Sequence, residues 1–103
     1  MIYIKVHNTD NGDIVAMCDE ALIDRVLSEG DVVIDIKSYS SFYKGDKVDK
    51  DSAIDAISRL EHIYSANIVG TESIEAAISS KIIDKKGVLF VGGVPYAHSY
   101  SMD

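Results

Sequence analysis

The chain has 103 residues, a length that suits one domain. Hydrophobic residues make up 47% of it and charged residues 26%, which provides enough apolar material for a packed core and argues against disorder. The 10 basic and 17 acidic side chains give a net charge of −7, so the chain repels polyanions on average and is not expected to bind nucleic acid directly. A protein partner, a cation or a small ligand suits this charge better.

Several other classes are excluded by composition. No apolar run approaches the ~18 residues that a membrane-spanning helix needs. The first residues, "MIYIKVH", lack the cationic segment and cleavage site of a signal peptide, which favours a cytoplasmic location. Cys18 is the one cysteine, so neither an internal disulfide nor a multi-cysteine zinc site can form.

The first two elements are predicted to form a β-hairpin. Residues 2–7 alternate apolar and polar side chains, and 14–18 form a second strand. Asn11-Gly12 suits a two-residue turn with positive φ at both positions, which would pair Val6 with Met17. One face then carries the predicted core set Ile2, Ile4, Val6, Val15 and Met17, and the other carries Tyr3, Lys5, His7, Ala16 and Cys18.

The next segment predicts a helix over 19–31, with Asp19 able to cap its first turn and Gly30 able to end it. The β-branched run 32–36 predicts a third strand. After the aromatic segment "SYSS", residues 42–48 are expected to form a turn with short extended arms around Gly45.

Apolar residues at helical spacing predict a helix over 49–65, and 66–70 interrupts the pattern. A further helix is expected over 71–84, capped by Thr71, and a last strand over 88–91. The fold class predicted is α+β, with about four strands, including the N-terminal hairpin, and three helices in a single small domain of residues 1–103. Within it, 96–103 forms either a flexible tail or a fixed segment after the last strand.

Four segments in order, "CDEALI" (18–23), "FYKG" (42–45), "NIVG" (67–70) and "GGVPYAH" (92–98), resemble the archaeal family of small proteins known as domain of unknown function 424. The "KVH" of the first strand fits as well, and the resemblance spans essentially the whole chain. It implies a cytosolic archaeal protein with one small α/β-type domain and no assigned reaction. The family pattern has an imidazole directly after the proline, where this chain has Tyr96, followed by Ala97 and His98.

Three segments that are predicted to be non-helical contain the candidate binding residues. Exposed aromatic side chains bury large areas with few rotatable bonds, and glycine and proline fix a backbone in place. The three candidate sets are Tyr39, Phe42, Tyr43 and Gly45; then Asn67 and Gly70; then Gly92, Gly93, Pro95, Tyr96 and His98. The alternative is that Phe42 and one tyrosine pack onto the sheet, that Asn67 fixes its loop, and that Tyr96 packs at a strand-end turn.

Other chemistry remains open in the sequence. Cys18 precedes a predicted helix, which could activate its thiol, but Asp19 and Glu20 oppose the thiolate and a packing role is the alternative. His7 and Cys18 share a face of the hairpin, so with His98 they could bind a metal, or the histidines could be independent surface residues. The helix after Gly70 could hold an anion, or Thr71 could cap it.

The leading hypothesis is a non-enzymatic protein-binding or adaptor module without cofactor or metal, whose surface combines the three candidate sets. Association with the family suggests a partner in the translation apparatus. The first alternative is a small-molecule or metal-dependent enzyme using Cys18, His7 or His98. A second is a homo-oligomer in which an exposed strand edge pairs with its copy.

Overall fold

The computed structural model describes residues 1–100. In chain order its strands and helices are β1 (Ile2–Thr9), β2 (Gly12–Asp19), β3 (Val26–Glu29), β4 (Val32–Asp35), α1 (Ser40–Tyr43), β5 (Asp46–Val48), α2 (Lys50–Ser58), β6 (Ile63–Val69), α3 (Thr71–Ser79), β7 (Leu89–Val91) and β8 (Val94–Tyr100). The chain is therefore a mixed α and β domain, with eight strands and three helices in the described part rather than about four strands.

Six of the strands form one sheet in the order β5-β1-β2-β6-β8-β7. Its neighbours are antiparallel except for β2 and β6, which are parallel. A parallel pair needs a crossover, and here the crossover contains everything from β3 to α2. The strands β3 and β4 form a separate two-stranded sheet within that crossover.

The two longer helices bury one face of the sheet. The Asp49 side chain accepts a hydrogen bond from the Ser52 N–H at 2.8 Å and caps α2, whose Ala53 and Ile57 are buried one turn apart. The main core lies between this face and the helices, and its buried members are Ile2, Ile4, Val15, Met17, Ala53, Ile57, Ala66, Ile68, Ile74, Ala76, Ala77, Ile83 and Ala97. Four of the five residues predicted for the hairpin's core face are among them, and Val6 is half-buried.

The opposite face of the sheet is covered by the β3–β4 hairpin and α1. A second, smaller cluster forms there, with the buried members Cys18, Leu27, Ile36, Val69 and Val91. Because side chains alternate along a strand, residues 16 and 18 of β2 point to this face while residues 15 and 17 point to the helices.

The N-terminal hairpin is confirmed, but its turn is one residue earlier than predicted. Thr9 pairs with Gly12, so the turn is Asp10-Asn11 and Val6 pairs with Val15. Gly12 has φ +127° and lies against the His62 ring, which leaves no room for a side chain. The register therefore moves by two residues on one strand, and the assignment of side chains to faces is unchanged.

The predicted helix over 19–31 is wrong. A single 3₁₀ turn at 20–22 is followed by the hairpin of β3 and β4, with Gly30 at φ +60° in its turn. Two local features oppose a helix here. The Asp19 side chain makes no cap for the turn that follows it, and Asp24 has φ +66°, which no right-handed helix accommodates.

The second predicted helix was too long, because α2 ends at Ser58 and the interruption at 66–70 is mostly strand β6. The third is confirmed only as far as Ser79; Lys81 has φ +63° and ends it. Residues 96–100 belong to β8 rather than to a tail, because they pair along β6. The rest of the predicted 96–103 tail, 101–103, lies outside the described residues.

Candidate functional site

Three aromatic side chains and one amide line a pocket of about 320 Å³ on the sheet face opposite α2 and α3. Its residues are Tyr39, Phe42, Tyr43 and Asn67, which we call the aromatic pocket. The first three come from the turn before α1 and from α1 itself, whereas Asn67 lies in the middle of β6. Two of the three candidate segments therefore meet in space.

The helix α1 is anchored to β1 through polar contacts. The His7 ring stacks on the Phe42 ring, with centroids 4.6 Å apart and planes 11° from parallel. The His7 Nε2 lies 2.9 Å from the Phe42 carbonyl oxygen, and the Lys5 ammonium donates to the Ser41 carbonyl at 2.7 Å. These contacts fix Phe42 although its helix is only four residues long.

The side chains of the pocket differ in burial, from Tyr43, which is largely buried, to Tyr39, which is exposed. Burial, with a smaller contribution from Cys18, raises the pKa of Tyr43 to about 12, so its hydroxyl stays protonated at neutral pH. The Phe42 and Tyr43 rings meet edge to face at 5.2 Å, whereas Tyr39 is 64% exposed at the rim. A ligand would meet an apolar wall that is already packed and one exposed aromatic side chain at the rim.

Asn67 is the polar group of the pocket. It lies opposite Ala16 on one side and His98 on the other, and it is half-buried. Asn67 lies within a strand rather than in a loop, and none of the side-chain hydrogen bonds of residues 1–100 involves its amide, so the alternative in which it fixes a loop does not apply. An amide can both donate and accept, so this side chain can bond to a ligand.

The C-terminal candidates are divided between two places. His98 is exposed on the same face as Asn67, with its ring 4.6 Å from that of Tyr100. Tyr96 packs half-buried against the smaller core cluster, but it does so within β8 and not at a strand-end turn. Gly93 and Pro95 line a groove beside α3 on the helix side, and Gly92 is in the adjoining turn.

The remaining two glycines are structural. At Gly45 the backbone passes so close to the Ile4 carbonyl that any side chain would collide with it. Gly70 has φ +109° and lies against the Asp19 carboxylate. Neither residue lines the aromatic pocket, so the three predicted loops do not form one continuous surface.

The N-terminus of α3 is already occupied by a side chain. The Asp19 carboxylate accepts hydrogen bonds from the Ser73 N–H and hydroxyl, both at 2.8 Å, and from the Glu72 N–H at 3.2 Å. The sequence predicts Thr71 as the cap of this helix, and that prediction is wrong, because the cap comes from Asp19 at the end of β2. A carboxylate from the chain itself fills the position at which we considered an external anion.

Cys18 and the histidines do not converge. Burial and the neighbouring Asp19 charge raise the pKa of the Cys18 thiol to about 12, which opposes formation of a nucleophilic thiolate. His7 lies opposite Ile14, four residues from Cys18 along β2, or roughly 13 Å at the rise of a strand. In the part of the chain that the structure describes, no three His, Cys, Asp or Glu side chains are placed to hold a metal ion.

Sequence reasoning missed two features of this region. One is the role of His7 in supporting Phe42, for which the sequence contains no signal because the residues are 35 positions apart. The other is the groove beside α3, to which the exposed Phe90 contributes. The residues of β7 are all apolar, so no alternation in the sequence indicates that Phe90 is exposed. No helix in residues 1–100 is long and apolar enough to cross a bilayer.

Comparison with known proteins gives a family and a fold. The structure is similar to the crystal structure of an uncharacterized conserved protein from Methanopyrus kandleri, with a TM-score of 0.75 and 20% identity. The similarity covers 96% of this chain and 90% of that one, and at this identity it shows the fold alone. No curated protein matches the sequence. Residues 6–102 match the family described as "Protein of unknown function (DUF424)", and the chain belongs to that family.

Proposed function

We propose that the protein is a non-enzymatic binding module that captures a protein partner through the aromatic pocket. The observation that carries this proposal is the placement of Tyr39, Phe42 and Tyr43 around the Asn67 amide in one concave surface. Aromatic side chains with few rotatable bonds are the residues that most often dominate protein interfaces.

The chemistry of the pocket defines what it would bind. Its volume of about 320 Å³ accommodates one large apolar or aromatic side chain. The Asn67 amide would pair with a peptide group beside that side chain, since it offers a donor and an acceptor in one plane. The expected ligand is therefore a protein segment that inserts one apolar side chain and presents its backbone to Asn67.

The charge of the chain restricts the partner further. A net charge of −7 favours encounter with proteins of basic surface and disfavours phosphate backbones. A component of the translation apparatus, which the family resemblance suggested, would be one such partner. The proposal does not depend on that identification.

The test is capture of partners from a lysate of the native organism by the immobilised protein, followed by mass spectrometry. The variants are Phe42→Ala, which removes the wall of the pocket, and Asn67→Ala, which removes its polar group. Val33→Ala is the matched control, because Val33 is an apolar side chain, 61% exposed, on β4 and lines neither the aromatic pocket nor any other proposed binding surface. Any partner specific to the pocket should be lost from both variants and kept by the control.

Circular dichroism and thermal unfolding establish that each variant is folded. Asn67→Ala is the stricter variant, because truncating Phe42 also removes its stack with His7. Tyr96→Ala is unsuitable, since Tyr96 belongs to the hydrophobic cluster under the β3–β4 hairpin. If folded Asn67→Ala and Phe42→Ala proteins retain every partner of the wild type, the aromatic pocket is not the binding site.

A further inference from the structure

The outer edge of β7 has unused hydrogen-bonding groups at Phe90. Gly92 and Gly93, with φ of +54° and +79°, form the two-residue turn that joins Val91 to Val94. In such a hairpin the closing pair is hydrogen-bonded, and the next pair, Phe90 with Pro95, is not.

Proline makes this arrangement unambiguous. Pro95 has no N–H, and its carbonyl accepts from the Gly70 N–H at 2.8 Å, on the side of β6. The N–H and C=O of Phe90 therefore point away from β8 towards the free edge of the six-stranded sheet. A sheet edge with such groups is a template for an added strand.

An apolar groove lies beside that edge. Phe90 is 63% exposed, and its side chain, with those of Ile74, Ile78, Val88 and Pro95, lines a space of about 330 Å³ between α3 and β7. We call these five residues the edge groove. A strand added at Phe90 would place alternate side chains over the groove, since side chains alternate between the faces of a sheet.

The charges around the edge groove select the occupant. The connection from α3 to β7 carries Lys81, Lys85 and Lys86 against one acid, Asp84, in a chain whose net charge is −7. Two charged side chains line the groove, Lys85 and Glu75. The Glu75 carboxylate lies 3.7 Å from the Lys50 ammonium, whereas Lys85 takes part in none of the ion pairs of residues 1–100 and can attract a carboxylate from outside. A second copy of the chain would bring an identical lysine-bearing edge to this position, whereas an acidic segment would be attracted to it.

One carboxylate is already bound at this edge. Two residues after Phe90, the Gly92 N–H points outward and donates to the Glu29 Oε1 at 2.7 Å. Glu29 comes from the β3–β4 hairpin, so the edge is closed at its turn end and open only around Phe90. The opening suits a short extended segment and not a long strand.

We propose that the β7 edge and the edge groove bind a short, extended, acidic peptide segment of another protein. The peptide backbone pairs with the N–H and C=O of Phe90. One apolar side chain enters the edge groove, and flanking carboxylates lie near Lys85 and Lys86. This surface is separate from the aromatic pocket and can bind or fail to bind independently of it.

The probe is a blocked pentapeptide of sequence Glu-Asp-Leu-Asp-Glu, titrated into the ¹⁵N-labelled full chain at low salt and followed by NMR. The control peptide is Lys-Lys-Leu-Lys-Lys. The acidic peptide should shift the amides of 88–93 and of the adjoining face of α3, and the basic peptide should not. Added salt should weaken the binding.

Two pairs of variants separate charge from backbone pairing. Lys85→Glu combined with Lys86→Glu should weaken the binding of the acidic peptide by about tenfold. Lys37→Glu, an exposed control in the turn between β4 and α1, should leave the affinity within about twofold. Phe90→Ala keeps the free N–H and Phe90→Pro removes it. Because this N–H faces the free edge, proline is compatible with β8 pairing, and it should weaken binding beyond the alanine variant.

Three results would overturn the proposal. One is the absence of shifts at millimolar peptide, and another is a set of shifts confined to the aromatic pocket. The third is a concentration-dependent shift at 88–93 without peptide, accompanied by dimerisation in light scattering, because a second copy would then be the occupant.

Discussion

At the scale of single residues, Asp19 stabilises a helix far from it in the chain and not the turn that directly follows it. Its carboxylate accepts three hydrogen bonds from the first turn of α3 and lies against Gly70. We expect Asp19→Ala to lower the free energy of unfolding by about 2–4 kcal/mol, because the fully buried Ser73 would lose its partner.

Urea unfolding of this variant provides the measurement. Glu20→Ala is the matched control, since its neighbouring carboxylate makes only an exposed ion pair with Lys47 and should change the stability by less than about 0.5 kcal/mol. Equal effects of the two substitutions would contradict the capping role of Asp19.

Two buried groups make the stability sensitive to alkali. Burial raises the pKa of Cys18 from 9.0 to about 12 and that of Tyr43 from 10.0 to about 12. As the pH rises, the unfolded chain loses the protons of these two groups while the folded chain keeps them. Their contribution to the free energy of unfolding is therefore complete below about pH 9 and is lost as the pH rises towards 12. We expect the free energy of unfolding to fall across this range.

Denaturant titrations between pH 8 and 11 test this dependence. The Cys18→Ala variant is less stable throughout, because it removes buried sulfur, but its decline with pH should be shallower. A decline of unchanged slope in this variant would exclude the thiol as a source.

At the scale of elements, α3 has an imperfect C-terminus. Lys81 follows the C-cap residue Ser80 with φ +63°, a conformation in which glycine has no steric penalty. Lys81→Gly should therefore raise the free energy of unfolding by about 0.5–1 kcal/mol. Lys86→Gly is a suitable comparison, because Lys86 has no positive φ, and a gain of equal size there would attribute the effect to charge alone.

Elements specified by local sequence were predicted, and those that depend on distant partners were not. The β1–β2 hairpin follows from alternation and a short turn, and the start of α2 follows from Asp49. Strand β6 was missed because Ile63 and Tyr64 continue the apolar spacing of α2, so that 63–65 were assigned to the helix and 66–70 only to an interruption of its pattern. Residues 63–69 form a strand because β2 and β8 flank them, and these partners lie 50 to 51 residues upstream and 27 to 35 residues downstream in the chain.

The residues of the candidate site were predictable from local sequence, but their meeting in space was not. Aromatic residues in a turn-rich segment indicated Tyr39, Phe42 and Tyr43, and the polar Asn67 before an apolar run was noticeable. Their meeting requires the parallel pairing of β2 with β6 and the docking of α1 on β1 and β2. Neither has a local signature, so the sequence could not distinguish Asn67 in the pocket from Gly45, which lies outside it.

At the scale of the whole molecule, the two faces of the sheet have different roles. The helix face contains the larger core, whereas the opposite face combines a small cluster with the aromatic pocket. Both proposed binding surfaces lie beside short elements, α1 and β7, that contribute little to the main core. The exposed side chains beside these elements, Tyr39 and Phe90, can change and alter recognition at a small cost in stability, whereas Tyr43 and Val91 pack in the smaller cluster.

The difference between the two faces predicts which strands unfold locally and which only with the whole domain. The strands β2 and β6 each have neighbours on both sides and lie beneath packing on both faces, so exposing their amides requires global unfolding. The β3–β4 hairpin pairs only within itself and is held to the rest of the fold by the smaller cluster and by the Glu29–Gly92 hydrogen bond, and Val26 and Val33 are exposed. We expect hydrogen exchange of its amides to be at least about tenfold faster than exchange at Val15 to Met17 and Ala66 to Ile68.

Native-state exchange measured by NMR at increasing denaturant distinguishes the two kinds of opening. Exchange in β2 and β6 should follow the global unfolding free energy, whereas exchange in β3 and β4 should depend only weakly on denaturant, as expected for a local opening that exposes little surface. Cys18 offers an independent check, because the hairpin covers it. A thiol reagent should reach it through the hairpin's opening, faster than global unfolding allows, and equal rates would mean that the hairpin and the sheet unfold as one unit.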